Sequence, residues 1–154
     1  NCYDSPSILN YKGNADLNTA KMVAVVGTRN NNEYGKTICE KFIEELAAEN
    51  VLIVSGLAFG IDSIAHKISI KNNLQTIGVL AHGLDMIYPS QNTPLAKQMS
   101  TQGGLLTEFR SNTKPDRQNF PSRNRIVAGI SDAVVVFETG NKGGPLLTAE
   151  LSHG

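Results

Sequence analysis

A short segment in the last third of the chain combines residue types that bind the phosphates and bases of nucleic acids. Residues 118–125 read Gln-Asn-Phe-Pro-Ser-Arg-Asn-Arg. Proline suits the first turn of a helix, so we expect Pro121 to open a helix whose free N–H groups and positive dipole end favour an anion. Phe120, placed just before that helix, is predicted to be free to stack on a base.

The two arginines of this segment cannot share one face of a helix, because they lie two positions apart. We therefore expect one of Arg123 and Arg125 to reach a ligand and the other to brace a loop or strand end. The apolar residues 126–130 behind them should be buried. The alternative is a purely structural helix, with Phe120 in the core and both arginines solvated.

Composition restricts a nucleic-acid site to a local patch. The chain has 154 residues, of which 40% are hydrophobic and 18% charged, as expected of one soluble globular domain. Its 14 basic and 14 acidic residues cancel, whereas nucleic-acid-binding proteins usually carry a positive excess. One local excess lies within 107–125, where Glu108 and Asp116 are the acidic residues. The basic residues there are Arg110, Lys114, Arg117, Arg123 and Arg125.

The cysteines indicate a reducing compartment and no metal site. Cys2 and Cys39 form no metal-binding motif, and Cys39 lies in an amphipathic helical pattern typical of a packed, reduced thiol. With no signal peptide or membrane span in the sequence, we expect a cytoplasmic protein without a membrane partner. No cofactor is predicted. We expect residues 1–154 to be a single domain, excised from a longer chain or its ordered part.

Apolar runs alternate with amphipathic helical patterns along the chain. This predicts an α/β fold: a doubly wound, mostly parallel sheet with helices on both faces. Strands are predicted near 22–26, 51–54, 76–80, 105–109 and 133–137, with an edge strand at 8–13. Helices are predicted at 34–50 and 61–72, from the Thr93-Pro94 cap to Gly103-Gly104, from Pro121, and from Gly143-Gly144-Pro145 to the end.

In such sheets ligands bind beyond the carboxyl ends of the strands. The turns at 27–29, 55–57, 82–83 and 138–140 should therefore converge on one crevice. Arg29 is predicted at the exposed tip of the first of these turns, where a phosphate contact is favoured over a structural salt bridge. Glu138 is left with two interpretations: binding a ribose hydroxyl, or satisfying the N–H groups of the Gly143-Gly144 turn.

Enzymatic motifs are not recognised. Gly27 stands alone where a GxGxxG turn would be expected, and the Gly143-Gly144 turn lacks the P-loop Lys-Ser/Thr pair. His66 follows Asp62 by four residues and could form an acid–base pair with it. The structural interpretation is favoured, in which Asp62 caps the helix and His66 lies beneath the Gly27 loop. His82 has no second metal ligand nearby, so no metal-binding residue is predicted. No catalytic residue is predicted either.

Several segments together resemble the DNA-processing protein A family (DprA, also called Smf). The resemblance covers nearly the whole chain from Ile8. The segments are VVGTR at 25–29, YG at 34–35, SGLAFGID at 55–62, AH at 65–66, GLD at 83–85, YP at 88–89, TE at 107–108, FPSRNRIVAG at 120–129 and LTA at 147–149.

This resemblance implies a Rossmann-like domain that binds single-stranded DNA and forms a homodimer. It also implies a role in protecting incoming DNA and loading a RecA-type recombinase during natural transformation, without enzymatic activity. By motif position, the DNA-binding residues would be Gly27, Thr28, Arg29, Arg117, Phe120, Arg123 and Asn124. The chain departs from the family at Pro145, which cannot donate an N–H to a phosphate. The alternative function is a nucleotide-binding or N-glycosidic-bond-cleaving enzyme of a related Rossmann-like superfamily.

Overall fold

The computed structural model describes residues 8–17, 21–139 and 145–151. The strands are β1 (Asn10–Gly13), β2 (Lys21–Gly27), β3 (Val51–Ser55), β4 (Thr76–Val79), β5 (Gly103–Thr107), β6 (Ala133–Thr139) and β7 (Pro145–Leu151). The helices are α1 (Glu33–Leu46), α2 (Ile61–Lys71), α3 (Thr93–Met99) and α4 (Asn119–Ile130), with a 3₁₀ turn at Ser90–Asn92 before α3.

The strands form one seven-stranded sheet in the order β1-β5-β4-β3-β2-β6-β7. The five central strands are parallel, and the edge strands β1 and β7 are antiparallel to their neighbours. The predicted doubly wound, mostly parallel sheet is thus confirmed. Successive strands from β2 to β5 extend the sheet in one direction, and β6 returns to the other side of β2. This reversal makes the β2/β6 boundary the topological switch point.

Alternating side chains of the central strands fill apolar cores on the two faces of the sheet. Val25 and Ile53 pack with Ile43 of α1 and Ile61 of α2 on one face. Ala24, Leu52 and Val54 pack with Ile126 and Val127 of α4 on the other. Full burial of such a side chain contributes about 1.5–3 kcal/mol. The apolar runs in the sequence therefore mark strands that are covered on both sides.

The C-terminal segment is a strand, and the predicted helix there is wrong. β7 pairs antiparallel with β6 from Thr139↔Pro145 to Ala133↔Leu151. The helix prediction rests on the spacing of the leucines in this segment. The free edge of β6 offers a ladder of backbone hydrogen bonds, and this pairing outweighs the local preference for a helix. Proline is tolerated at the first position of an edge strand, where Pro145 stands. The Gly143-Gly144 turn lies outside the described residues.

Several other element boundaries differ from the predicted ones. Helix α1 ends at Leu46, and α3 ends at Met99, so Gly103 and Gly104 belong to β5 and do not end the preceding helix. Thr93 is the first residue of α3, and Asn92 precedes it as the cap residue.

Gly104 is required in β5 because a Cβ there would lie 2.6 Å from the Tyr11 hydroxyl of β1. Cys39 is a buried free thiol, as predicted.

Candidate nucleic-acid interface

Three adjacent cavities lie at the carboxyl ends of the central strands, and Arg29 lines all of them. The switch-point cavity, about 330 Å³, includes Gly27, Asp62, Arg123 and Asn124. The outer cavity, about 560 Å³, is lined by Arg29, Tyr88, Pro115, Arg117, Phe120, Pro121 and Asn124. The inner cavity, about 30 Å³, includes Phe59, His82, Tyr88, Phe120 and Arg123. The predicted convergence of strand ends is therefore present for the turns after β2, β3 and β4.

The turn after β2 presents Arg29 to solvent because a neighbouring turn holds its backbone. Gly60 has φ 79°, and a Cβ there would clash with the carbonyl oxygen of Thr28. The N–H of Ile61 donates to that same carbonyl at 3.1 Å. The turn ends where the Asn32 side chain caps α1 by accepting from the N–H of Gly35 at 2.7 Å. Arg29 is thus an exposed side chain on a fixed backbone, as the sequence predicted.

Phe120 lies inside the first turn of α4 and not before it. The helix begins at Asn119, whose N–H donates to Asp116 O at 2.8 Å and whose side chain donates to Ala81 O at 3.2 Å. Pro121 therefore occupies the third helical position, where its missing N–H removes no intrahelical bond. Half-buried Phe120 belongs to none of the apolar clusters in the described part of the chain. The core-phenylalanine alternative is wrong.

The Phe120 ring lies next to two guanidinium groups. The central carbon of Arg29 is 4.9 Å from the ring centroid, and that of Arg123 is 5.5 Å from it. Both distances lie within the range of about 6 Å for a cation–π contact. Aromatic and cationic side chains, the types that can stack on bases and bind phosphates, are thereby brought together on one surface.

Arg123 braces the ends of two strands. It is 6% exposed, and its Nη1 donates to Gly56 O at 2.7 Å and to Val79 O at 3.1 Å. Its Nε donates to the Asn124 side chain at 2.9 Å. Burial lowers the pKa of Arg123, and the nearby Asp62 carboxylate opposes this by raising it. Arg123 therefore takes the bracing role that the sequence assigned to one of the two arginines.

Arg125 does not extend from the helix as a solvated side chain. Its Nη2 donates to Glu108 Oε2 at 2.8 Å, and both side chains are largely buried. The alternative with two solvated arginines is thus wrong. Among the described residues, the exposed basic side chains that line these cavities are Arg29 and Arg117.

Asp62 and His66 support the turn between β3 and α2. Asp62 Oδ2 accepts from the N–H groups of Gly56 at 3.2 Å and Ala58 at 3.4 Å, so it stabilises this turn and does not act as the N-cap of α2. Burial raises the pKa of Asp62, although Arg123 and these hydrogen bonds lower it. The N–H of Leu57 donates to His66 Nε2 at 3.2 Å. His66 therefore lies beneath this turn and not beneath the Gly27 loop.

The hydrogen bonds of His66 leave it no role as a base. Because Nε2 accepts, the proton of the neutral ring is on Nδ1, which donates to Thr76 Oγ1 at 2.7 Å. That hydroxyl donates in turn to Ile53 O at 3.0 Å. Burial, and to a lesser extent Arg123, lowers the pKa of His66 to about 3. The arrangement supports the structural interpretation of Asp62 and His66.

Of the seven predicted site residues, all but Thr28 line the cavities. The six are Gly27, Arg29, Arg117, Phe120, Arg123 and Asn124. Thr28 is part of the turn that carries Arg29, and its hydroxyl accepts from the N–H of Asn30 at 3.2 Å. The Glu138 side chain lies outside the described part of the structure. In that part, no group of three or more His, Cys, Asp or Glu side chains could hold a metal ion.

Sequence reasoning did not select three further residues of the inner cavity. Phe59 and Tyr88 are 46% and 47% exposed, although large aromatic side chains are usually more buried. Each follows a different central strand, so an aromatic residue in a turn at a carboxyl strand end was the available signal. His82 is buried in the same cavity, with Nδ1 donating to Gly83 O at 2.7 Å. Apart from its position after a buried strand, nothing in the sequence marks His82 as a residue of this cavity.

No described helix is both long enough and apolar enough to cross a membrane.

The fold and the site together define a Rossmann-like domain with arginine and aromatic side chains at the carboxyl edge of its sheet. The model of the family described as DNA recombination-mediator protein A matches residues 1–154. The chain belongs to this family.

Relatives from different bacteria match almost the entire chain. It is 43% identical over 148 residues to the DNA processing protein DprA of Bacillus subtilis, which covers 96% of this chain and 50% of that protein. It is 41% identical over 150 residues to protein Smf of Escherichia coli, covering 97% and 40%. The chain thus spans about half the length, or less, of these relatives.

Solved structures show the same fold. DNA processing protein A of Streptococcus pneumoniae superposes with a TM-score of 0.83 and 41% identity, covering 88% of this chain and 47% of that one. DNA processing protein A of Helicobacter pylori, studied for its single-stranded DNA binding mode, gives a TM-score of 0.82 and 32% identity, covering 92% and 66%. These matches confirm both the family and the Rossmann-like architecture.

Proposed function

We propose that this chain is a single-stranded DNA-binding module of DNA processing. The observation that carries the proposal is the contact of exposed Arg29 with half-buried Phe120, at the junction of the inner and outer cavities. Arginine binds a phosphate through paired hydrogen bonds, and an aromatic ring stacks on a base of any sequence. Bases are available for such stacking when they are unpaired. The study of single-stranded DNA binding in the Helicobacter pylori relative supports the same assignment.

The proposed strand path follows the outer cavity from Arg117 to Phe120 and Arg29. Asn124 lies on the border of the outer and switch-point cavities and offers a polar contact there. Gly27 lines the switch-point cavity at the end of β2, where its missing side chain makes room for the Phe137 carbonyl and Ile61, while Thr28 maintains the turn. Arg123 supports the Phe120 ring, because its guanidinium lies against the ring and also donates hydrogen bonds at the ends of β3 and β4. On this assignment the module has no catalytic residue and needs no cofactor.

The finer role that we propose follows from family membership. The module protects incoming single-stranded DNA in the cytoplasm, forms a homodimer and helps load a RecA-type recombinase during natural transformation. This role can be tested by following recombinase filament growth on DNA coated with single-strand-binding protein. Addition of the chain should shorten the lag before filament growth. An unchanged lag, with DNA binding intact, would remove the loading role and leave the binding module.

A titration with competing ligands tests the proposed binding directly. A labelled oligo(dT) strand, a duplex of the same length and labelled nucleoside monophosphates are titrated with the chain at several salt concentrations. The single strand should bind with clear preference, with affinity that falls with salt by a slope of about −0.7 per neutralised phosphate. Equal affinity for the duplex would reject the proposal. Turnover of a nucleoside monophosphate that is lost in Glu138→Gln would favour the enzyme of the related superfamily.

A further inference from the structure

His82 has one ring nitrogen without a hydrogen bond. Its side chain is 2% exposed, and Nδ1 donates to Gly83 O at 2.7 Å. Nε2 is buried and has no hydrogen-bond partner within the part of the chain that the structure describes. Buried polar atoms are nearly always paired in folded proteins, and an unpaired one is costly. This atom therefore calls for a ligand that reaches the inner cavity.

The chemistry of the ring decides which kind of ligand group is required. With the proton on Nδ1, a neutral imidazole presents a lone pair at Nε2, so it accepts and does not donate. Burial lowers the pKa of His82, and Arg123 lowers it further, whereas the Gly83 carbonyl at Nδ1, the Asp85 carboxylate and the nearby Tyr88 backbone raise it. The Tyr88 backbone makes no hydrogen bond with Nε2. The net shift is downward, so the ring is neutral at pH 7. The complementary ligand group is an uncharged or cationic N–H or O–H.

The inner cavity is shaped for the edge of a flat molecule. Phe59, Tyr88 and Phe120 line it together with Arg29. Its volume of about 30 Å³ admits one or two groups of the size of a water molecule. An amino or imino group on the rim of a nucleobase has this size, while the ring of the base would remain at the mouth beside the aromatic side chains. A base in that position brings an N–H donor into the cavity that His82 lines.

Building on the proposed single-stranded DNA binding, we propose that His82 Nε2 accepts a hydrogen bond from an edge N–H of one bound base. Phe120 contributes a stacking contact that every base can make. His82 adds a contact that depends on an unblocked N–H at the base edge. The site therefore recognises a feature that is hidden when the base is paired, because Watson–Crick pairing occupies the imino group of thymine.

Methylated DNA tests this inference on the unaltered protein. Thymine has a single N–H donor, at N3, and methylation removes it while leaving the strand, the phosphates and the stacking face in place. An oligo(dT) strand should bind about five- to tenfold more tightly than the same strand made of N3-methylthymidine, the change that one hydrogen bond gives. Equal affinity for the two strands would overturn the inference and assign the cavity to a water molecule only.

A variant cycle separates a lost hydrogen bond from a steric effect of the methyl group. His82→Phe keeps a flat ring but has no acceptor, so its affinity for the two strands should be the same within twofold. A preference for unmethylated oligo(dT) that persists in this variant would show a steric origin and reject the hydrogen bond. If His82→Phe does not fold, as judged by its thermal melt, His82→Ala replaces it with the same expected ratio.

The proposed function and this inference fail in distinguishable ways. If oligo(dT) and its N3-methylated counterpart bind equally and Arg29→Ala weakens the binding of both, DNA binding stands and the role of His82 is rejected. If neither strand binds the folded protein, the binding module itself is rejected, and the inference that rests on it is rejected too.

Discussion

The guanidinium carbon of Arg29 lies 4.9 Å from the centroid of the Phe120 ring. Arg29 stands in the turn after β2, and Phe120 in the first turn of α4, so the sheet brings together two distant parts of the sequence. An arginine binds phosphate by charge and paired hydrogen bonds, whereas a phenylalanine acts on the base by stacking. The two contributions to DNA binding should therefore be separable by their dependence on salt.

Replacing Arg29 by alanine should weaken binding to every single-stranded sequence alike. One fewer phosphate would be neutralised, so the logarithmic salt slope should become shallower by about 0.7. Arg29→Lys should keep the slope but lose affinity, because lysine cannot form the paired hydrogen bonds. Arg110→Ala is the matched control: Arg110 is also exposed but lines a different cavity with Asn10 and Tyr11. An Arg29→Ala slope equal to that of the control would contradict the phosphate contact.

Replacing Phe120 by alanine should reduce affinity without changing the salt slope. Loss of one stacking contact costs about 1–3 kcal/mol of binding free energy. Phe109→Ala serves as the control, since Phe109 is also partly buried but lines the cavity of Arg110. Thermal melts of both variants are needed beside the titrations. A Phe120→Ala protein that is strongly destabilised but binds DNA normally once folded would show a packing role and no stacking.

The sheet and part of the site could be predicted from the sequence because they depend on local patterns. Buried parallel strands appear as continuous apolar runs, and their glycine turns mark the edge at which ligands bind. Arg29 followed from its place after the first such run. β7 could not be predicted in this way, because its pairing depends on the open edge of β6.

The remaining site residues depend on contacts between distant segments. The burial of Arg123 follows from the carbonyl groups of Gly56 and Val79, which no helical pattern reveals. Phe59 and Tyr88 are single aromatic residues in separate turns, and the order of the strands alone places them in one cavity. The motifs of the family resemblance contained both residues without indicating that they meet.

Arg123 and Arg125 should differ in their importance for folding. Removing one partner from a buried charge network costs about 3–5 kcal/mol of the free energy of unfolding, so Arg123→Ala should be strongly destabilised. It would leave the Gly56 and Val79 carbonyls and the Asp62 carboxylate without their neighbour. Arg125→Ala removes a more accessible ion pair with Glu108 and should cost less. Denaturant titration of the two variants provides the comparison, and equal losses would show that Arg123 is not the brace.

The burial of His66 predicts how stability depends on pH. Its pKa is about 3 in the folded protein, against an ordinary value of 6.5 that applies to the unfolded chain. Between these values the unfolded state binds a proton that the native state does not, so stability decreases as pH falls. The slope for one such proton approaches about 1.4 kcal/mol per pH unit. The contribution of neutral His66 is fully present above pH 6.5 and decreases progressively toward pH 3.

The variant His66→Asn isolates this contribution, because asparagine does not titrate. It should be less stable than the parent protein at pH 7, since it loses the hydrogen bonds to Leu57 and Thr76. The difference between the two proteins should shrink as the pH is lowered from 7 to 5. Asp62, whose raised pKa acts in the opposite direction, and His82 are present in both proteins and cancel in the comparison.

Denaturant titrations at pH 7, 6 and 5 measure the difference, and single-stranded DNA binding per folded molecule at pH 7 should be unchanged. A stability difference that stays constant with pH would mean that His66 is not held neutral, and lost binding at an unchanged melting temperature would make it a site residue.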